Sequence, residues 1–149
     1  MANSVHKDRQ GPVWPLGNIA VVTPGTYVSI MSLVDPSFTG APETLTPLYP
    51  GGPYPEYTMR AYSILFQGFK AGAAPPKLAA NTGIVYVVKK PIGTGGVGDV
   101  GTVIAAIRAT DPPFWLYSAP LNRNTLNLYE YYIDTDTAAD ACQVTAIIQ

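Results

Sequence analysis

The sequence predicts an all-β fold: a single antiparallel β-sandwich, jelly-roll-like, of about eight strands, with an extended N-terminal arm. Three observations predict it. Fifteen Pro and fourteen Gly among 149 residues, roughly a fifth of the chain, interrupt helical patterns again and again. Between them lie short stretches rich in Val, Ile, Thr, Tyr and Phe, several alternating at period two. Turn chemistry separates those stretches along the whole chain.

Residues 1–17 read as the arm, and 18–149 as one sandwich domain. The start, "MANSVHKDRQGP", is polar and has no apolar signal core, so the chain is expected to be soluble and made in the cytoplasm. Val13, Trp14 and Leu16 then form an apolar tip. Trp14, with Pro12 and Pro15 around it, either packs on its own domain or anchors on a neighbouring subunit.

The first strand is expected over Asn18–Val22. Thr23-Pro24-Gly25 follows as a turn, with Pro suited to its second position and Gly to its third. Thr26–Val34, rich in β-branched residues, is the second strand. Residues 35–57 hold six prolines together with Tyr49, Tyr54 and Tyr57, and read as an extended excursion. Such a stretch either lies on a partner's surface or is an exposed loop. Further strands are expected over Ala61–Phe69, Ile84–Val88, Thr102–Ala109, Phe114–Ser118, Leu126–Ile133 and Cys142–Ile148. In the last, Cys142, Val144, Ala146 and Ile148 share one face. The stretch after Thr137 lacks Pro and Gly and would also tolerate a helical turn.

Gly93-Thr94-Gly95-Gly96-Val97-Gly98 fits G-x-G-x-x-G, the pattern of a dinucleotide-binding turn. Its context fails. Four residues separate the apolar strand from Gly93, and Gly101 followed by Thr102-Val103-Ile104 prefers a strand where a helix is required. A hairpin-like connection is the better reading, and no cofactor is expected.

Other chemistry is sparse. His6 is the only histidine and lies in the arm, away from any fixed nucleophile. Cys142, the only cysteine, permits no internal disulfide and no multi-thiolate metal site. Asp134, Asp136 and Asp140 form the densest acidic cluster, but Ala138 and Ala139 break a calcium-loop spacing, so a polar turn is the reading and no metal is expected. Glu43, Glu56 and Glu130 have no context that pairs them for acid–base work. No catalytic residue is assigned, and the chain is not expected to be an enzyme. Net charge is −1, which gives no reason to expect nucleic acid, and the longest apolar runs of five residues are far short of a membrane span.

Charged residues are only 13% of the chain, about half the usual share. Such a surface suits a protein that works packed against others. Aromatics are the remaining signal: Phe114, Trp115 and Tyr117 in one strand, Tyr129, Tyr131 and Tyr132 in another. Alternation puts rings on both faces of each. One face is core; the other is an interface or a sugar-stacking platform.

The phrases "VVTPGTYVSI", "ILFQGF", "NTGIVYV" and "LNLYEYYIDTDTAADACQVTAII" occur in the order seen in short tailed-phage virion proteins. Over Ile19–Ile30 and Ala61–Ile148 the chain resembles those capsid decoration, cement or head proteins. It departs from them in its arm, its excursion and its glycine loop. The resemblance implies a β-sandwich on the outer surface of an icosahedral capsid, bridging neighbouring capsomers. The expected partners are then the major capsid protein and the chain itself, as a homotrimer, and its place is the virion. Val13, Trp14, Leu16, Tyr49, Tyr54 and Tyr57 are the expected partner-binding residues. A carbohydrate-binding module displayed for host attachment is the alternative.

Overall fold

A computed structural model describes residues 13–36, 38, 58–71, 79–90, 101–118 and 126–148. The fold is all-β, with antiparallel pairing throughout and no helix longer than a short 3-10 turn among these residues. The strands are β1 (Val13–Ala20), β2 (Val28–Ser29), β3 (Arg60–Ala61), β4 (Ser63–Lys70), β5 (Val85–Lys89), β6 (Thr102–Ile107), β7 (Phe114–Tyr117), β8 (Leu126–Asn127), β9 (Tyr131–Thr135) and β10 (Asp140–Ile147). They form one four-stranded sheet in the order β1-β10-β4-β7, a second in the order β2-β9-β5-β6, and the small ribbon β3-β8.

The pairs β1·β10, β2·β9, β4·β7 and β5·β6 nest inside one another along the sequence. That is the order produced by wrapping one long hairpin so that its successive pairs fall alternately in two sheets, the order of a jelly roll. The ribbon and two 3-10 turns interrupt it, so the described residues hold ten strands in three sheets, within the all-β antiparallel class expected. Both large sheets feed one hydrophobic core. Ile64 and Phe66 come from β4, Cys142, Val144 and Ala146 from β10, and Val85, Val87 and Ile133 from β5 and β9. In β10 the expected alternation is present, with Cys142, Val144 and Ala146 buried and Gln143 and Thr145 half-buried.

Strand β1 begins at Val13, five residues before the expected start, so the boundary of the arm at residue 17 does not hold. Pro15 and Gly17 look like breakers in sequence. Here β1 is an edge strand, and a bulge falls between Pro15 and Gly17. The Val21 N–H donates to the Asp140 C=O, which fixes the alternation along the ladder. It turns the position of Pro15 away from β10, so its missing donor costs no ladder bond.

Two expected strands are cut short by capped 3-10 turns. In Thr26–Val34 only Val28–Ser29 pairs. The Ser29 hydroxyl then accepts from the Met31 N–H at 3.2 Å, and Ile30–Leu33 coil to carry Ile30 and Met31 into the core. In Leu126–Ile133 the Asn127 side chain accepts from the Tyr129 N–H, and Leu128–Glu130 coil to bury Leu128 and Tyr129. The turn Thr23–Thr26 is as expected. Thr26 N–H donates to the Thr23 C=O at 3.1 Å, and Gly25 takes φ +85°, a conformation glycine adopts without a Cβ clash. No helix follows Thr137. Residues 136–139 are a turn into β10, with Ala139 at φ +71°.

The glycine loop, residues 93–98, lies outside the described residues. Its flanking strands, β5 and β6, are antiparallel neighbours. A dinucleotide site requires a helix after the glycines and a parallel sheet. The segment that follows is strand β6, so the connection runs from one arm of a hairpin to the other.

Candidate interaction surface

The acidic cluster resolves into three separate clamps. Asp134 accepts the Gly25 N–H at 2.9 Å. Asp136 accepts the Ile84 N–H at 2.7 Å and the Thr137 hydroxyl at 3.1 Å. Asp140, fully buried, accepts the N–H groups of Thr82 and Gly83 at 2.8 and 2.6 Å. Asn81 completes this end by donating to the carbonyls of Gly83 and Ile107. Gly83 is required here, because a Cβ would collide with Asp136 and Thr137. The carboxylates thus point at backbone donors of the 23–26 turn and the 81–84 segment. Among the described residues, no group of three His, Cys, Asp or Glu side chains is placed to hold a metal ion. The clamps also join three of the quoted phrases in space: the "TPGT" turn, "NTG" and "DTDTAAD". Those phrases hold the fold together.

Cys142 is sealed in the core, and burial pushes its thiol from the ordinary 9.0 to about 12, with a hydrogen bond to the Gln67 backbone opposing the shift. It is a protonated packing group with none of the thiolate character that nucleophilic or metal chemistry requires. Glu130 is half-buried. Glu43, Glu56 and His6 lie outside the described residues.

Of the expected partner-binding residues, Leu16 is buried in the core and Trp14 packs against that core half-buried. The bulge turns Leu16 inward, which removes it from any outer contact surface. Val13 is 64% exposed. Tyr49, Tyr54 and Tyr57 lie outside the described residues.

Among the described residues three exposed apolar side chains, Val13, Trp115 and Tyr117, lie on the outer face of the first sheet. The strand registers set its side chains in rows. One row runs Val13, Ile147, Ser63, Tyr117, and the next runs Pro15, Thr145, Leu65, Trp115. A third, Asn18, Gln143, Gln67, borders them. No side chain in these rows carries a charge. The face ends on β7 at Trp115 and Tyr117, 42% and 55% exposed, whose rings lie 5.9 Å apart at 15° between planes. On the opposite side of β7, Phe114 stacks against the core residue Phe66. Rings therefore occupy both faces of this strand, one inside and one out.

The sequence located Trp115 and Tyr117 as a core-or-interface choice and did not see Pro15, Leu65, Thr145 and Ile147 as their neighbours. Those residues come from three other strands, and only the register across the sheet brings them together. Among the described residues no helix is long and apolar enough to cross a membrane. Comparison of the chain with protein-family models, with curated proteins and with solved structures found no match to any of them.

Proposed function

We propose that the chain is a structural virion protein that binds the outer surface of an icosahedral phage capsid and stabilises it by bridging neighbouring capsomers. The observation that carries this reading is the uncharged outer face of the first sheet. On it Val13, Trp115 and Tyr117 are 64%, 42% and 55% exposed, and Pro15 is exposed beside Val13. Burying such a face against a capsid subunit releases water from apolar surface without stranding a charge. The ordered resemblance to virion proteins supplies the kind of partner. The major capsid protein provides many equivalent seats on one shell, so weak individual contacts add through avidity.

The test is co-sedimentation of the purified chain with assembled shells of the phage that encodes it. The native chain is expected to pellet with shells. Val13→Lys combined with Leu65→Lys is expected to remain folded by circular dichroism and stay in the supernatant. A native chain that ignores the shells, or a double variant that binds them as well as the native chain, refutes the reading.

One observation favours a second reading, a carbohydrate-binding module for host attachment. Trp115 and Tyr117 present nearly parallel exposed rings beside the uncharged hydrogen-bonding groups of Gln67 and Thr145. Sugar C–H faces stack on such rings, and amides and hydroxyls match sugar hydroxyls. Micromolar binding to a neutral glycan on an array, lost in Trp115→Ala, would favour it over the capsid reading.

A further inference from the structure

We propose that the protein pairs with a second copy of itself through strand β7, about a two-fold axis at Leu116, so that the two first sheets join edge to edge. This pairing goes beyond the capsid reading and does not depend on it.

An exposed edge strand offers unpaired N–H and C=O groups to any other chain, and proteins blunt such edges with proline, bulges, charges or short length. The two four-stranded sheets have four edges: β1, β7, β2 and β6. Strand β1 carries Pro15 and a bulge. Strand β2 is two residues long. Strand β6 has a register break opposite Val87 and Val88. Strand β7, Phe-Trp-Leu-Tyr, has no proline, no charge and no break in its pairing with β4. Among the described edges longer than two residues it is the one with no proline, charge or register break, and it adjoins the uncharged outer face.

The hydrogen-bond ladder shows which groups β7 leaves open. Ser118 N–H donates to the Tyr62 C=O at 2.7 Å, in the same register that pairs Leu116 with Ile64 and Phe114 with Phe66. Bonding alternates along an antiparallel pair, so Phe114, Leu116 and Ser118 turn their backbone groups toward β4. The far side of β4 agrees: Ala71 N–H donates to the Ala139 C=O, which turns the odd-numbered positions of β4 toward β10. Trp115 and Tyr117 therefore direct their N–H and C=O groups away from β4, to the edge that no described strand pairs with.

Those open groups select the partner and the register. A second copy presents the same two residues in reverse order when it approaches antiparallel. With Leu116 facing Leu116 of the other copy, Trp115 of each chain lies opposite Tyr117 of its mate, and both positions exchange their N–H and C=O bonds. Centring on Trp115 instead would set Tyr117 against Pro113, which has no N–H to give. The favoured register also stacks the two Trp–Tyr pairs as a four-ring cluster on the outer face, and cross-strand aromatic pairs stabilise antiparallel sheets. No charge on β7 opposes its own copy. The contact is isologous, so it closes at two chains and does not propagate into a fibre.

Native mass spectrometry and amide hydrogen exchange on the purified full chain, without capsids, test this. A species of twice the 15.9 kDa chain mass is expected at micromolar concentration. The amides of Trp115 and Tyr117 should exchange more slowly as concentration rises, while that of Leu116 stays unchanged. Trp115→Lys with Tyr117→Lys sets like charges opposite each other and should raise the dissociation constant at least about tenfold. Trp115→Lys with Tyr117→Glu sets opposite charges in the same register and should recover the dimer. A native chain that remains a monomer, a trimer, or a dimer indifferent to both double variants overturns the proposal. Because no capsid is present, such a failure leaves the capsid reading standing, and loss of capsid binding leaves the dimer standing.

Discussion

Asp140 is fully buried, and its two oxygens hold the N–H groups of Thr82 and Gly83. Asp140→Ala removes the acceptor of both part-buried donors and is expected to cost about 2 kcal/mol in urea unfolding, against about half that for Asp140→Asn, which keeps one acceptor. Beside it, Ala139 occupies the left-handed region at φ +71° with its side chain exposed. Ala139→Gly should therefore raise stability, by up to about 1 kcal/mol, in the same assay. The sequence displayed the acidic cluster and the missing calcium spacing. It did not display where each carboxylate points, because the donors lie 52 to 109 positions away along the chain.

The elements themselves were legible where alternation was clean. Strands β4, β5, β7 and β10 sit within a residue or two of their expected bounds, since their apolar positions repeat at period two or run unbroken. Legibility failed where a polar residue caps a turn inside an apolar stretch, as Ser29 and Asn127 do, because β-branched and aromatic neighbours kept signalling strand. It failed again at β1, where Pro15 is tolerated only because that strand is at an edge, a property of the whole sheet. Deletion of residues 1–17 removes the first five of the eight residues of β1, including the buried Leu16. It should lower the thermal midpoint well below that of a chain lacking residues 1–12 only, as scanning calorimetry would register. At the core, Phe66→Ala empties a fully buried ring position that also stacks on Phe114, and should cost about 3–5 kcal/mol.

For the molecule as a whole, the buried acids set an alkaline limit. Burial raises Cys142 from 9.0 to about 12, and burial together with the nearby Glu130 charge raises Tyr131 and Tyr132 from 10.0 to about 12. As pH rises the unfolded chain loses these protons first. Their contribution to stability is complete below about pH 9 and is lost progressively between there and about pH 12. Unfolding midpoints in urea should be level from pH 7 to about 9 and then fall; a midpoint unchanged at pH 11 would contradict the buried, protonated assignment. The outer face of the first sheet is likewise a property of the whole, since it draws on four strands that no local pattern links.

The nested pairing of strands has one more consequence, in time. Strand β10 lies between β1 and β4, although it follows every other described strand in the chain. A ribosome must deliver residue 147 before the first sheet has a middle. Until then β1 lacks its described partner and β4 has only β7 beside it, so the first sheet is completed late in synthesis and the earlier pairs form without its centre.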